Sequence, residues 1–301
     1  IASTYPDKLS LKETIVLTKS IVNNSERLTF KDKIIVDKHC IGGVPGNRTT
    51  PIIVSIIASL GYKMPKTSSR SITSPSGTAD TMEVLTNVSL SAKNIKKVIN
   101  KTNGCFVWGG AINLAAADDK LIKIRHPLSL DPKGMLLASI LAKKKAVSAT
   151  HVLIDIPYGK NAKVNKREAK DLRKEFLRLA KELKLKIRVV LTDGSQPIGN
   201  GIGPALEASD IISVLKGKGP ADLREKSIFL STEILKMLKV SNPKKKVLEV
   251  LDNGTAYLKF REIIKEQGGL KRPLVPLAEL FYEFKAKREG TIKERNNKII
   301  A

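Results

Sequence analysis

Residues 33–60 predict a strand, a glycine-rich turn and a buried helix in immediate succession. The strand is expected at the apolar run 34–36. Three glycines and a proline then fall within the five residues 42–46, which is typical of a turn and not of a helix. The helix is predicted over 49–60, because its apolar residues lie on all sides and Gly61 follows the last of them. This order directs backbone N–H groups and a helix dipole at one point, where an anion can bind.

A second polar loop follows at residues 66–78. Between Thr67 and Thr78 the loop holds eight hydroxyl side chains, one cation and one glycine, and it leads into a helix predicted over 78–85. Hydroxyl and amide groups donate to phosphate oxygens, and the nearby cations, which are Lys38, Lys66 and Arg70, add charge. On composition alone, a flexible serine-rich loop is the alternative. Two such loops, each ending at a helix start, favour a phosphate site.

Composition limits the class of protein. The chain has 301 residues, of which 42% are hydrophobic, so it can bury a sizeable core. No apolar run approaches the ~20 residues that a membrane span needs, and no signal peptide is recognisable. The two cysteines, Cys40 and Cys105, cannot form a disulfide framework, and a reducing cytoplasm fits best. The histidines lack metal-ligand spacing, so we expect no metal.

The net charge of +25 has two interpretations. A basic chain attracts nucleic acid or anionic metabolites, but lysine-rich composition also arises from solvated helix faces. Aromatic residues make up only 4% of the chain, which leaves little for stacking on single strands. We therefore expect general affinity for anions and no nucleic-acid partner.

Beyond the two loops, strand and helix patterns alternate along the chain. Strands are predicted at 104–108, 151–157 and 187–191, and helices at 9–23, 94–100, 132–145, 165–183 and 205–215, with a largely helical region at 221–267 and a frayed tail at 285–301. A mixed, mostly helical piece is predicted at 115–124. Alternation of this kind predicts an α/β fold with a mostly parallel sheet and flanking helices, with ligands at the carboxyl ends of the strands.

Asp131 directly precedes Pro132 at the start of a predicted helix. It can be an N-cap, with the proline at the first helical position. It can equally be a carboxyl group at the mouth of a pocket that exchanges a proton. Spacing leaves both roles open.

Five segments resemble the thymidine/pyrimidine-nucleoside phosphorylase family and look most like its archaeal branch, the AMP phosphorylases. They read DKHCIGGVPGNRTT at 37–50, SRSITSPSGTAD at 69–80, RHPLSLDP at 125–132, LASILAKK at 137–144 and GIGPALEA at 201–208. The first two are long and specific, unlike a lone glycine fingerprint. The likeness covers about Leu11 to Glu283.

The resemblance implies phosphorolysis, in which AMP and inorganic phosphate give adenine and ribose 1,5-bisphosphate, with phosphate as co-substrate and no cofactor. It implies Asp131 as the proton donor to the leaving base. The residues that it implies for phosphate or nucleotide are Lys38, Gly43, Ser68, Ser69, Arg70, Ser71, Ile72, Thr73, Ser74, Thr78, Ser139 and Lys163. Those that it implies for the base are Arg125, Ser139 and Lys143.

The resemblance also implies a small helical domain, built from 1–27 and 118–147, beside an α/β domain of 28–117 and 148–301. It implies a homodimer or a higher homo-oligomer. Compared with the family pattern, an N-terminal domain is missing, as is the C-terminal α/β segment after about Arg288. The chain is therefore interpreted as a member truncated at both ends.

Other functions remain open. Arg125 and Lys143 suit a pyrimidine, so a thymidine or pyrimidine-nucleoside phosphorylase is the alternative within the family. A basic nucleic-acid-binding protein on the same fold is the alternative of another class. A P-loop NTPase is excluded, because the glycine turn lacks the lysine and the spacing of that loop.

Overall fold

The computed structural model describes residues 4, 9–71, 75–112, 121, 124, 128, 130 and 132–300. Its strands are β1 (Val36–Cys40), β2 (Met64–Ser68), β3 (Gly104–Trp108), β4 (His151–Tyr158) and β5 (Lys186–Asp193). Its helices are α1 (Leu11–Asn23), α2 (Thr49–Ser59), α3 (Thr78–Glu83), α4 (Ala92–Thr102), α5 (Lys133–Ala146), α6 (Lys166–Glu182), α7 (Pro204–Leu215), α8 (Ala221–Met237), α9 (Pro243–Asp252), α10 (Thr255–Glu266) and α11 (Asn297–Ile300).

All strand pairs are parallel. One sheet has the order β1-β4-β5, and a second sheet consists of β2 and β3. A single parallel bridge between Ile35 and Lys63 connects them, and beyond it β1 and β2 separate. The Lys66 ammonium donates to the Lys38 carbonyl at 2.9 Å, so a side chain occupies an acceptor that continued pairing would use. The predicted α/β fold with parallel strands and flanking helices is confirmed.

Helices cover both faces of the sheets. Leu153 of β4 faces a core formed with α2, α7, α8, α9 and α10. Its neighbours Val152 and Ile154 face the opposite core, which includes α4, α5 and α6. The central strand β4 is thus buried on both faces, as is typical of parallel strands, whereas the edge strand β5 is partly exposed. Helix α2 is buried around its whole circumference from Thr49 to Ala58, which confirms its interpretation as a core helix.

The bounds of two strands differ from the predictions. The strand predicted at 34–36 begins at Val36 and runs through the polar residues to Cys40, because both cores need its alternating side chains. Residues 66–68, predicted as the start of the polar loop, belong instead to β2, since parallel pairing with β3 overrides their weak apolar pattern. Composition alone could not distinguish a polar strand inside the protein from a turn.

Two further predictions concern the start of α5 and the C-terminal tail. Helix α5 begins at Lys133 and its N-cap position is Pro132, whereas Asp131, the predicted N-cap, lies outside the described residues. Most of the predicted helical piece 115–124 does too. Fraying of the tail is contradicted at Asn297, which is buried and donates from Nδ2 to the Gly194 carbonyl at 2.7 Å. Helices α1 and α5 pack together, but the division into two domains stays a prediction. Within the described ranges, no helix is long and apolar enough to cross a membrane.

The side chain of Gln267 replaces a missing neighbour strand at the edge of β3. Its Oε1 accepts from the Phe106 amide at 2.7 Å, and its Nε2 donates to the carbonyls of Phe106 at 2.8 Å and Asn87 at 2.9 Å.

We expect Gln267→Leu to reduce the free energy of unfolding by about 2–4 kcal/mol, because each buried group left unpaired costs about 1–3 kcal/mol. Urea unfolding measures it. The control Gln196→Leu, at a partly exposed position, is expected to change little; equal losses in both variants would contradict the assignment.

Candidate functional site

The carboxyl ends of β1, β2 and β4 lie at one edge of the fold, because these strands are parallel and adjacent. The turn after β1 reaches this edge with Gly43 at φ +83°. A Cβ at Gly43 would lie 2.8 Å from the Cβ and the backbone N of Lys163, so only glycine fits there. The turn therefore brings Gly43 against Lys163, two of the predicted binding residues.

The same turn also approaches a further glycine-rich segment, which carries glycines at 199, 201 and 203. Gly46 has φ +72°, and a Cβ there would lie 2.0 Å from the Ile198 carbonyl oxygen. The Ile198 amide donates to the Pro45 carbonyl at 3.1 Å. The two turns are thus held in backbone contact, and substitution of Gly46 would separate them.

One buried ion pair connects three loops at this edge. The guanidinium of Arg48, at the start of α2, donates to the carboxylate of Glu207 on α7 and to the Ser76 carbonyl. It also reaches Thr78 Oγ1 at 3.5 Å. Glu207 is fully buried and accepts from Thr81 Oγ1 at 3.2 Å. The pair therefore joins the glycine turn, the hydroxyl-rich loop and the N-terminal end of α7.

Asp80 closes the hydroxyl-rich loop as an acceptor. Its Oδ2 accepts from the amides of Ser71 at 2.7 Å and Gly77 at 2.9 Å. A Cβ on Gly77 would lie 2.5 Å from the Arg70 carbonyl carbon, so glycine lets the two ends of the loop meet. Ser71 is exposed, whereas Ile72, Thr73 and Ser74 lie outside the described residues.

Arg70 is held at the base of this loop. Its guanidinium binds both carboxylate oxygens of Glu83, at 2.5 and 2.7 Å, and Asp80 at 3.1 Å. It also lies 4.9 Å from the ring centroid of Trp108. The hydrogen bond to Arg70 lowers the pKa of Glu83, and the same bond raises the pKa of Arg70. Arg70 is therefore a fixed cation, oriented by two carboxylates and one ring.

Strand β1 carries charged side chains into both cores. Lys38 is fully buried, and its ammonium donates to the hydroxyls of Thr49 at 3.0 Å and Thr50 at 3.4 Å. Asp37 points to the other face, where its carboxylate meets Lys144 at 2.7 Å and Lys66 at 3.4 Å. Alternation along the strand thus places a lysine–hydroxyl group on one face and a lysine–aspartate group on the other.

Burial reduces the basicity of these lysines. Desolvation lowers the pKa of Lys38, opposed in part by the charge of Asp155. It also lowers the pKa of Lys144 to about 7, although the charge of Asp37 acts in the opposite direction. An anion placed among them would favour their charged forms.

His39 remains neutral beside these cations. Its pKa lies well below the ordinary value because the partly buried ring is desolvated, and the charges of Lys144, Lys66, Lys143 and Lys38 lower it further. Lys143 of α5 is therefore close enough to β1 to act on this ring. A neutral imidazole adds no charge to the site and offers one donor and one acceptor.

The other predicted residues lie on several elements. Ser68 ends β2, and its Oγ donates to the Val107 carbonyl at 3.3 Å. The Ser69 carbonyl accepts from the Ala79 amide at 3.3 Å, at the neck of the same loop. Ser139 is buried on α5, one turn before the partly buried Lys143. Arg125 and Asp131 lie outside the described residues, so the base-side and acid assignments stay predictions.

Sequence reasoning missed several buried charges, and two of them had a readable signal. Lys144 follows Leu137, Ile140 and Leu141 at helical spacing, and Lys226 lies three residues after Leu223 and four before Leu230. A lysine on the apolar face of a helix indicates a buried partner. Those partners, Asp37 and Asp155, are far away in the chain, and spacing could not identify them.

We expect Glu207→Gln to lower the free energy of unfolding by about 3–5 kcal/mol, since it removes the carboxylate charge that compensates the buried Arg48 guanidinium. Chemical denaturation followed by circular dichroism measures this loss. The control is Asp252→Asn, which removes an exposed pair with Arg224 at 2.6 Å and is expected to cost less than about 1 kcal/mol. A cost for Glu207→Gln no larger than that of the control would contradict the central role of the pair.

The thiols are expected to be unreactive in the folded protein. Burial raises the pKa of Cys105 to about 12 and also raises the pKa of Cys40, so both remain protonated at about pH 8. A coloured disulfide reagent should therefore titrate both thiols rapidly in denaturant and only slowly without it. Rapid reaction of either thiol in the native protein would contradict this description.

Comparison with known proteins agrees with the parallel α/β fold. Residues 32–257 match the family model described as "Glycosyl transferase family, a/b domain". Anthranilate phosphoribosyltransferase from Thermus thermophilus superposes with a TM-score of 0.68 over 85% of each chain, at 15% identity. At that identity the likeness concerns the fold alone.

Two relatives are much more similar in sequence. A protein of Natronomonas pharaonis named "AMP phosphorylase" is 46% identical over 89% of this chain and 55% of its own length. A Polaromonas protein named "Putative thymidine phosphorylase" is 46% identical over 98% of this chain and 58% of its own length. The chain thus spans somewhat more than half the length of these relatives. On this match and these identities, the chain belongs to the glycosyl transferase family whose α/β domain the model describes.

Proposed function

We propose that this chain catalyses phosphorolysis of a nucleoside 5′-monophosphate, with AMP and phosphate giving adenine and ribose 1,5-bisphosphate. The observation that carries the proposal is Lys38, a fully buried lysine whose ammonium lies on the hydroxyls of Thr49 and Thr50 directly after a glycine turn. A desolvated cation among hydroxyl and amide donors suits a tetrahedral oxyanion. Inorganic phosphate is the anion proposed for this position.

The proposed reaction needs two anions in one site. An oxygen of inorganic phosphate attacks C1′ of the ribosyl group, and the bond from C1′ to the base nitrogen breaks. The base leaves with the electron pair and receives a proton, for which Asp131 is the proposed donor. The nucleotide's own phosphate would bind at the hydroxyl-rich loop, where Arg70 is fixed by Glu83 and Asp80. Positioning both anions against their repulsion is the chief demand on the protein.

AMP is proposed over pyrimidine nucleosides because Arg70 and eight hydroxyl side chains between Thr67 and Thr78 suit a substrate that carries its own phosphate. The relatives named for AMP and for thymidine are equally similar to this chain at 46% identity. Thymidine or pyrimidine-nucleoside phosphorolysis is therefore the second candidate, supported by Lys143 near the neutral ring of His39. We further propose action in the cytoplasm as a homodimer or higher homo-oligomer, without a cofactor.

The test is phosphate-dependent release of free base from AMP, CMP, UMP and thymidine. With AMP, the wild-type chain is expected to release adenine in proportion to the ribose 1,5-bisphosphate formed. Asp131→Asn should lower kcat by about 10²–10⁴-fold, the usual contribution of a positioned general acid. Chromatography of the released bases, with phosphate present and omitted, measures the adenine released and the kcat of each variant.

Asp171→Asn is the matched control, because Asp171 lies on the exposed side of α6 and only pairs loosely with Lys174 at 3.8 Å. Its kcat should equal that of the wild type. Release of thymine but not adenine would move the activity to the nucleoside branch. Absence of release from every substrate, together with salt-dependent RNA binding, would refute phosphorolysis and favour the basic nucleic-acid-binding alternative.

A further inference from the structure

Lys226 is a buried cation that the proposed function does not use. It lies on α8 with its side chain 9% exposed. Within the described part of the chain, its Nζ makes no hydrogen bond. The carboxylate that it faces is that of Asp155 on β4, whose Oδ2 is 3.6 Å away. Burying a lysine charge without a hydrogen bond costs free energy unless an opposite charge compensates it.

Asp155 is equally short of partners. Its Oδ1 accepts from the Thr192 hydroxyl at 2.6 Å, whereas its Oδ2 is buried and accepts no hydrogen bond from the described residues. Asp155 pairs in parallel register with Cys40, two residues beyond Lys38 on the neighbouring strand. The charge of this carboxylate therefore acts on the same space as the Lys38 ammonium.

The charges on this face of β1 are not balanced. Two lysines, Lys38 and Lys226, face one carboxylate, that of Asp155. Both Asp155 and Lys226 act on the pKa of Lys38, the first raising it and the second lowering it. The Lys38 ammonium nevertheless lies on the hydroxyls of Thr49 and Thr50. Lys226, in contrast, faces Asp155 and is the counter-ion of its carboxylate.

We propose that Lys226 is a positioning residue for phosphate: it neutralises Asp155, so that Lys38 stays on Thr49 and Thr50 with its charge available to an incoming anion. This inference rests on the proposed function, because it assigns inorganic phosphate to Lys38. Lys226 acts through Asp155 and not by contact with the phosphate.

The physical reason is competition for one cation in a dry environment. Opposite charges attract strongly where water is excluded. Without Lys226, the Asp155 carboxylate would be buried and uncompensated, and Lys38 is a cation on which its charge already acts. A Lys38–Asp155 pair would draw the ammonium from the threonine hydroxyls and cancel the charge that attracts phosphate. With Lys226 present, Lys226 compensates Asp155, and the charge of Lys38 stays available at the threonine hydroxyls.

The test compares Lys226→Met with the double variant Lys226→Met/Asp155→Asn. The Kd of inorganic phosphate is measured by titration calorimetry without nucleotide, and the KM values for phosphate and AMP are measured separately. We expect the single variant to weaken phosphate binding about tenfold or more, which corresponds to about 1.4 kcal/mol. Its KM for AMP should stay within about twofold, because only Lys38 has been diverted.

The double variant should restore the phosphate Kd to within about threefold of the wild type, since the competing carboxylate has gone with its partner. Lys226→Arg keeps the charge and should behave like the wild type. Lys236→Met is the matched control on the same helix, where Lys236 is half-exposed and pairs with Glu233 at 2.8 Å. Thermal unfolding of each variant establishes that the chain is folded, and the double variant provides the test even where the single variant is too unstable.

An unchanged phosphate Kd in Lys226→Met would overturn the inference. So would equal weakening in the single and double variants, because Lys226 would then bind the anion directly. A wild-type chain that binds phosphate but releases no base would refute phosphorolysis, while the ratio of the Kd values would still decide the role of Lys226. A wild-type chain that binds no phosphate would overturn both proposals.

Discussion

The arrangement of the site depends on the ion pair between Arg48 and Glu207. Three glycine- or hydroxyl-rich loops meet at the carboxyl edge of the strands, and none of them has a core of its own. One guanidinium satisfies the Glu207 carboxylate and the Ser76 carbonyl together, so the loops share a single anchor. Such a pair adds little stability compared with apolar packing, since burying both charges costs desolvation. Its effect is geometric: it fixes which loop faces which.

Strand β1 shows how a polar segment can be core. Its side chains alternate between two helical layers, so Asp37 and Lys38 become buried on opposite faces although they are neighbours in sequence. Each then needs a partner from an element far along the chain, namely Lys144 of α5 for Asp37 and the threonines of α2 for Lys38. The strand thereby makes binding charge and tertiary structure interdependent.

The sequence predicted the elements whose pattern is local. Helix α2, strand β3 and the amphipathic helices follow from periodicity and from their start and stop residues, and the structure confirms them. It did not predict β2, because Lys66 interrupts the apolar pattern and only pairing with β3 reveals the strand. In the site, Lys38 and Gly43 follow from the turn chemistry and the resemblance. The pair of Asp155 and Lys226 was not predicted, because 71 positions separate them and only the packing of α8 on β4 brings them together.

The buried lysines also show that the positive charge of this chain has two parts, one buried and one solvated. Four of them, Lys38, Lys66, Lys144 and Lys226, face two aspartates, Asp37 and Asp155, so the surplus positive charge around β1 is internal. Most of the net +25 belongs instead to solvated side chains, where salt screens it. Only the internal surplus is desolvated, and only there does a cation gain strongly from a bound anion. In the proposed function, the aspartates limit this surplus and the lysines create it, so both would set the charge of the anion that the chain binds.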